Sequence, residues 1–290
     1  MSDILQVENL SKSFDSFKLK NVSFSLPAGY IMGFIGPNGA GKTTTIKSIL
    51  GMLRIDSGDI RIFGRNIRDG AQSVKQQVGV VMDLPFYVGQ WRVWEVEKAL
   101  APFYSRWDEG EYRRRLREFD IDGKKKVAEL SRGMKIKLMI AVALSHDARL
   151  LILDEPTSGL DPAARDELLE ILGDYMRDER RGILFSTHIT SDLEKIVDYI
   201  TFIRDGQLQF TGLKDDLLDS YRIVKGGPED LSPDERAYIL GLREHPTGFE
   251  GMIRTPDAKH LPGQVLLEPV SLDEIVAYLN REGKHHAQRA

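Results

Sequence analysis

Gly36-Pro37-Asn38-Gly39-Ala40-Gly41-Lys42-Thr43-Thr44 decides the fold, because this stretch matches the pattern GxxxxGK[ST] in full. An apolar run at 31–35 precedes it, and a helical pattern at 45–50 follows it. Glycines let such a loop turn its backbone N–H groups toward an anion, and the N-terminus of the next helix adds its dipole. The sequence therefore predicts a strand, a phosphate-binding loop and a helix that together hold a nucleoside triphosphate.

The residues of this loop have separate predicted roles. Lys42 is expected to reach the terminal phosphates, and the hydroxyl of Thr43 to bind Mg²⁺. We also expect Lys42 to act in catalysis, because phosphoryl transfer depends on positioning and on neutralising phosphate charge. The predicted nucleotide-binding residues of the loop are Asn38, Gly39, Ala40, Gly41, Lys42, Thr43 and Thr44.

Length and composition narrow the class of protein. The chain has 290 residues, of which 41% are apolar and 29% charged, which is typical of a soluble globular protein with one main domain and an appendage. Its formal net charge is −4, and no basic cluster interleaved with aromatic residues is present, so nucleic acid is not the expected partner. The chain contains no cysteine, which excludes disulfides and thiolate chemistry and suits a reducing cytosol.

Membrane insertion is not expected from this sequence. The first ten residues lack the apolar core of a signal peptide, since Asp3 and Glu8 interrupt them. The longest apolar run, Leu138 to Leu144, is too short to cross a bilayer. We therefore expect any role at the membrane to go through a partner.

A second nucleotide signal is the apolar run at 150–153, which ends in Asp154 and Glu155. An aspartate at the end of such a strand can hold the Mg²⁺ shell, and the adjacent glutamate can accept a proton from water that attacks the γ-phosphate. Another buried run, at 183–187, ends in His188. A lone histidine can be purely structural, but its place at a strand end after the other nucleotide elements favours a catalytic role.

Two aromatic features leave alternatives open. Phe14 lies on a polar turn, where it could stack on a nucleobase or instead close the edge of a small sheet. From about residue 84 to 145 the pattern becomes helical and predicts a separate helical subdomain, which contains every tryptophan of the chain. If the segment around Trp91 and Trp94 is helical, both lie on one face, either as a docking groove for a partner or as core of the subdomain.

These motifs, in this order, resemble those of the ATP-binding subunit of an ABC (ATP-binding cassette) transporter over about residues 3–212. GPNGAGKTT at 36–44 is similar to the Walker A loop, and LLILDE at 150–155 to the Walker B strand. LSRGM at 130–134 stands where the family signature LSGGQ belongs. The remaining correspondences are Phe14 with the adenine-stacking A-loop, Ser158-Gly159-Leu160-Asp161 with the D-loop, and His188 with the switch histidine.

The resemblance implies an α/β fold. Its P-loop NTPase core carries an antiparallel β subdomain and an α-helical signature subdomain. It also implies that ATP is held between Walker A of one subunit and the signature of another, so that a working site needs two chains. Ser131, Gly133 and Asp161 would then contact the nucleotide of the partner, in a homodimer or with a related ATPase subunit.

The chain departs from the family pattern at two places. In the signature, Arg132 replaces a glycine and Met134 a glutamine, although Ser131 still offers a hydroxyl and Gly133 a backbone N–H at the start of a helix expected at 135–144. Arg132 could add charge near the partner's nucleotide or face solvent. In the Q-loop, Asp83 stands where a glutamine is expected, and we predict that it contacts the Mg²⁺ shell, with capping of the next turn as the alternative.

The resemblance implies ATP hydrolysis that drives transport through a separate transmembrane permease, on the cytoplasmic face of the cell membrane. Within this family the chain is similar to bacterial efflux subunits, so we expect export of a drug, an antimicrobial peptide or a lipid. An importer subunit and a soluble ABC ATPase without transport function are the alternatives. Both cofactors, ATP and Mg²⁺, follow from the same likeness.

Beyond about residue 218 the family match fades. Strand signals at 221–224, 249–253 and 265–267 precede a helix predicted at 271–280, whose first residue, Ser271, has Glu274 three positions later. We therefore divide the chain into an ATP-binding domain, 1–218, and a small α+β accessory domain with a tail, 219–290.

Overall fold

The computed structural model describes residues 2–69, 71–82 and 87–287. By its internal contacts the chain divides into two compact units. The first comprises Met1–His188 and Thr201–Thr211, and the second Ile189–Ile200 and Gly212–Ala290. The boundary expected after residue 218 stays a prediction.

An antiparallel four-stranded sheet in the order β2-β1-β4-β5 forms one layer of the first unit. Its strands are β1 (Asp3–Ser13), β2 (Lys18–Pro27), β4 (Ser57–Ile62) and β5 (Arg65–Asn66). Apolar residues alternate with polar ones along β1 and β2, and Leu5, Val7 and Leu26 are fully buried. Alternation of this kind places one face of a sheet against a core, so the antiparallel β subdomain is confirmed.

A six-stranded sheet in the order β10-β9-β3-β8-β7-β6 forms the centre of the fold. Its strands are β3 (Ile31–Ile35), β6 (Val78–Val81), β7 (Leu150–Asp154), β8 (Gly182–Thr187), β9 (Tyr199–Arg204) and β10 (Gln207–Leu213). The neighbours β3 and β8, β8 and β7, and β7 and β6 pair in parallel. Continuous apolar runs are typical of parallel strands covered on both faces, and every residue of β3, β7 and β8 is buried.

Helices fill the space around this sheet. Among the described residues of the first unit they are α1 (Lys42–Ile49), α2 (Ala71–Lys75), α3 (Val93–Leu100), α4 (Glu109–Glu118), α5 (Arg132–Ser145) and α6 (Pro162–Tyr175). The helices α3, α4 and α5 correspond to the helical subdomain expected at about 84–145. The start of α5 was predicted at residue 135, which is wrong: Ser131 caps the helix by accepting a hydrogen bond from the Met134 N–H at 3.2 Å.

The second unit has its own antiparallel sheet, in the order β12-β13-β11-β14. The strands are β11 (Tyr221–Gly226), β12 (Ile239–His245), β13 (Gly248–Arg254) and β14 (Leu266–Glu268), and the helices are α7 (Thr190–Glu194), α8 (Lys214–Asp219), α9 (Pro233–Arg236) and α10 (Leu272–Ala287). Val224, Phe249 and Ile253 belong to one buried apolar cluster. The predicted α10 cap is present, because Ser271 and Glu274 exchange hydrogen bonds between side chain and backbone.

Candidate nucleotide site

The phosphate loop passes from β3 into α1 with very little free space. A Cβ atom at Gly36 would lie 2.2 Å from the carbonyl oxygen of Ile203, so only glycine fits there. Gly41 caps α1 with a left-handed φ of 113°, and the Gly206 N–H donates to the Ala40 carbonyl at 3.1 Å. The loop is therefore held by its neighbours in a form that aims the start of α1 at an anion.

Lys42 is buried, and its ammonium group lies inside the loop. Its Nζ donates to the Gly36 carbonyl at 2.8 Å and lies 3.1 Å from Oε1 of Glu155. An isolated charge at such depth would be costly, and the carboxylate offsets that cost. In this form of the protein, the predicted phosphate ligand is thus paired with the predicted general base.

Asp154 ends β7 and receives two hydroxyl groups, one on each oxygen. Thr43 Oγ1 donates to Oδ2 at 2.8 Å, and Ser186 Oγ donates to Oδ1 at 3.0 Å. Burial raises the pKa of the Asp154 carboxyl, while the hydrogen bonds from Thr43 and Ser186 act in the opposite direction. A hydroxyl and a carboxylate oxygen side by side are the donors that a hard divalent cation such as Mg²⁺ prefers.

Glu155 follows Asp154 directly, but its side chain takes other partners. Its backbone has a left-handed φ of 53°, uncommon outside glycine, and its N–H donates to the Ser186 carbonyl at 2.9 Å. Its Oε2 lies 2.7 Å from Nδ1 of His188, a distance at which an N–H on that nitrogen would donate to the carboxylate. The structure therefore brings Lys42, Glu155 and His188 together, as their predicted catalytic roles require.

Phe14 lies at the rim of an open cavity of about 430 Å³, and 41% of its surface is exposed. The ammonium of Lys12 lies 5.5 Å from the centre of its ring. The cavity extends to Gly39 of the phosphate loop, and the residues that line it are Phe14, Asp15, Ser16, Phe17, Lys18, Lys20, Gly39 and Asp205. An exposed aromatic ring beside a phosphate loop fits a stacking platform better than an edge-closing core residue.

The signature and D-loop residues form a second group, in which Ser131 caps α5 and Asp161 caps α6. Asp161 accepts from the Ala164 N–H at 2.9 Å. A Cβ atom at Gly159 would lie 3.3 Å from Nε of Arg132, so the arginine that departs from the family pattern lies along the D-loop of its own chain. Within the described part of the chain, neither Ser131 nor Asp161 hydrogen-bonds to Lys42, Asp154 or Glu155.

Two further expectations have different outcomes. Asp83 lies outside the described residues, so its role at Mg²⁺ stays a prediction. The two tryptophans do not share a helix face, because the required helix does not include Trp91: α3 starts at Val93 after the N-cap Arg92. Trp94 is 38% exposed and has the Lys98 ammonium 4.4 Å from its ring centre, so it is not a core residue.

Ser186 is the site residue that sequence reasoning missed. In the parallel pairing of β7 with β8, Ser186 stands opposite Asp154. A sequence signal was available, since polar Ser186 and Thr187 end an otherwise apolar run. Adjacent parallel strands end at the same edge of a sheet. Pairing of β8 with β7 therefore places this serine near the Walker B acids.

Comparison with known proteins agrees with the geometry. The family model described as ABC transporter matches residues 19–158. The bacitracin transport ATP-binding protein BcrA of Bacillus licheniformis is 34% identical over 211 residues, covering 72% of this chain and 69% of its own length. The Nod factor export ATP-binding protein I of Burkholderia lata is 34% identical over 222 residues, covering 74% of this chain and 73% of its own.

A solved structure shares the fold. It is described as the ATP-binding subunit of an ABC transporter, has a TM-score of 0.67 and 34% identity, and covers 74% of this chain and 91% of its own. No helix among the described residues combines the length and apolar character needed to span a bilayer. Subunits of this kind bind ATP and work with membrane permeases. On this combined evidence, the chain belongs to the ABC transporter family as one of its ATP-hydrolysing subunits.

Proposed function

We propose that the chain hydrolyses ATP as a dimer, on the cytoplasmic face of the membrane, and thereby drives export through a separate transmembrane permease. The observation that carries this proposal is the meeting of Lys42, Asp154, Glu155 and His188 beside the phosphate loop. Phosphoryl transfer needs little covalent chemistry from a protein, and these side chains supply what it does need, which is positioning and charge neutralisation.

Each residue has one task in this proposal. Lys42 exchanges Glu155 for the terminal phosphates of ATP, which leaves the Glu155 carboxylate able to take a proton from the attacking water. His188 holds that carboxylate in place through Nδ1, 2.7 Å away. Phe14 stacks on the adenine, and the backbone N–H groups of residues 38–44 bind the phosphates.

Mg²⁺ fits the residues present, because Thr43 and Asp154 bring two hard oxygen donors together at 2.8 Å. The bound ion would neutralise charge on the β- and γ-phosphate oxygens. Thr43 and Asp154 would hold it, and Asp83 is the third expected contact. The Asp154 carboxylate is already oriented without an ion, since each of its oxygens has its own hydroxyl partner.

The motif content of one chain supports a dimer. The sequence contains one phosphate loop and one signature, and Ser131 and Asp161 make no hydrogen bond to Lys42, Asp154 or Glu155 in the described residues. Ser131, Gly133 and Asp161 lie at the starts of two 14-residue helices, where backbone N–H groups suit an anion. We infer that they complete the ATP site of a second subunit.

Export is supported by the functions for which the relatives are named. BcrA is named for bacitracin transport, the Burkholderia protein for Nod factor export and LnrL of Bacillus subtilis for linearmycin resistance. We propose a drug, an antimicrobial peptide or a lipid as the exported class. Residues 219–290 would form an accessory domain.

Two substitutions separate ATP binding from hydrolysis. Lys42→Ala should weaken ATP binding roughly 10- to 100-fold, because a charge-assisted contact to phosphate is lost. Glu155→Gln should bind ATP at least as well as wild type, lose on the order of 10²-fold in turnover and accumulate a dimer in Mg-ATP. Binding of a fluorescent ATP analogue, phosphate release and size-exclusion chromatography measure the three effects.

Glu170→Gln, an exposed glutamate on α6, is the matched control and should resemble wild type in all three measurements. A Glu155→Gln protein that stays monomeric at high concentration in Mg-ATP would count against the dimer. In cells that carry the permease, Glu155→Gln should abolish resistance to bacitracin, the first probe suggested by the relatives. Unchanged resistance would contradict export of that peptide.

A further inference from the structure

Ser186 occupies an unusual position among the polar residues of the parallel sheet. It lies in β8, opposite Asp154 of β7, and is fully buried. Its hydroxyl donates to Asp154 Oδ1, while its carbonyl oxygen accepts from the Glu155 N–H at 2.9 Å. One residue thus contacts both acids of the site, the first through its side chain and the second through its main chain.

The two hydroxyl groups on Asp154 are not equivalent. Thr43 comes from the phosphate loop and is itself an expected ligand of Mg²⁺, so its oxygen would have to serve both the carboxylate and the ion. Ser186 comes from the sheet, and its hydroxyl lies 3.0 Å from Oδ1 on the other side of the carboxylate. A group fixed in a strand can hold the carboxylate plane whether or not nucleotide and metal are bound.

The physical need for such a donor follows from burial. Asp154 is 2% exposed, so water cannot readily replace a lost hydrogen bond to Oδ1. Without the serine hydroxyl, the carboxylate can turn about its terminal torsion, because that torsion has a broad energy profile. Oδ2 would then meet Thr43 and an incoming cation in the right orientation only part of the time.

We infer that Ser186 is a positioning residue for the metal: its hydroxyl fixes Asp154 so that Oδ2 faces Thr43 and Mg²⁺. The inference rests on the proposed Mg²⁺ site and adds a residue to it. Outer partners of metal ligands typically change metal affinity 10- to 100-fold when they are removed. The main-chain bond to Glu155 does not depend on the serine side chain, so the general base keeps its place when the hydroxyl is lost.

Ser186→Ala tests this directly, because it removes one oxygen atom and adds no bulk. With the purified full-length chain and a non-hydrolysable ATP analogue, Mn²⁺ binding followed by electron paramagnetic resonance should weaken roughly tenfold. The Mg²⁺ concentration for half-maximal ATPase should rise by a similar factor. Analogue binding in EDTA, and turnover at saturating Mg²⁺, should stay close to wild type.

Ser145→Ala is the matched control, since Ser145 is also buried and its hydroxyl donates to the Ala141 carbonyl at 2.5 Å. It should leave Mn²⁺ binding unchanged. Ser186→Thr, which keeps a hydroxyl, should restore Mn²⁺ affinity. Unchanged Mn²⁺ affinity in Ser186→Ala, or an equal loss in Ser145→Ala, would overturn the inference.

Asp154→Asn separates this failure from failure of the proposed function. If Asp154→Asn loses Mn²⁺ binding and Ser186→Ala does not, the metal site stands and only the role of Ser186 is wrong. If Asp154→Asn also binds Mn²⁺ as wild type does, the metal site itself is wrong and the role of Ser186 falls with it.

Discussion

The two units of the chain use their sheets in opposite ways. In the first, β3, β8 and β7 are parallel neighbours. Asp154 and Glu155 at the end of β7 and His188 at the end of β8 lie at the same edge of the sheet. In the second, the strands are antiparallel and polar side chains pair across adjacent strands. Lys225 lies 2.7 Å from Glu268 and 3.9 Å from Glu250, so the charges are neutralised where they stand.

This difference explains why chemistry concentrates in one unit. Parallel strands all present their carboxyl ends on the same side, so distant segments of sequence deliver their polar residues to one place. Antiparallel strands alternate in direction, which spreads strand ends over both edges and leaves neighbours to satisfy one another. The first unit therefore gathers the buried side chains of Lys42 and Asp154 at one site, whereas Lys225 of the second unit pairs with its neighbours across the sheet.

The substitution with the largest expected effect lowers the stability of the second unit and tests whether ATP binding by the first unit is independent of it. Phe249→Ala should remove about 3–5 kcal/mol from the second unit, because Phe249 is 6% exposed in its apolar cluster and leaves a cavity. Hydrogen exchange should show faster opening of β11 and β13, while binding of a fluorescent ATP analogue stays unchanged. Leu266→Ala, at a leucine that is 54% exposed, is the control and should alter neither. Loss of ATP binding in Phe249→Ala would break the comparison.

A smaller expected effect is a loss of folding stability at acidic pH. Burial lowers the pKa of His146 from 6.5 to about 4, and its ring stacks on Tyr104 with centres 3.9 Å apart. The unfolded chain therefore takes up a proton at this residue more readily than the folded chain does. Stability from this group is complete above pH 6.5 and is lost as pH falls toward 4, by about 2 kcal/mol between pH 7 and pH 5.

Urea unfolding at both pH values measures this loss, and His146→Gln should reduce it. Equal pH dependence in wild type and His146→Gln would show that another group is responsible.

The smallest expected effect runs in the stabilising direction. Because burial raises the pKa of Asp154, the folded chain holds that proton more tightly than the unfolded chain, and stability from this group falls as pH rises above the ordinary value of 3.8. At neutral pH, Asp154→Asn should therefore raise the Tm of the nucleotide-free protein, while Mg²⁺-dependent ATPase is lost. Asp174→Asn, at an exposed aspartate, should leave Tm unchanged. A lower Tm for Asp154→Asn would contradict this account.

Sequence patterns predicted the parallel strands well because each is an uninterrupted apolar run that ends in polar residues. They missed β12, where Gly241 has a left-handed φ of 61° and the pairing shifts between Leu240 and Arg243. A bulge of this kind breaks the two-residue alternation by which a strand is recognised. The cause lies in packing, since a Cβ at Gly241 would lie 2.7 Å from the ring of Tyr278, far along the chain.

The candidate site shows the same limit. Motifs name the residues proposed to act on ATP, such as Lys42 and Glu155, but not those that hold them in place. Ser186 and the left-handed backbone of Glu155 depend on which strands become neighbours, and a local pattern does not contain that information. The contact of Arg132 with Gly159 is likewise a product of how α5 meets the D-loop.

The ion pair between Lys42 and Glu155 also bears on what happens after hydrolysis. The two groups are 6% and 17% exposed and 3.1 Å apart, so salt should screen the pair little, and we expect the pair to re-form when phosphate leaves Lys42. ADP lacks the γ-phosphate and so competes for the ammonium less strongly than ATP. We expect re-formation of the pair to favour product release, which makes the general base a participant in resetting the enzyme for its next cycle.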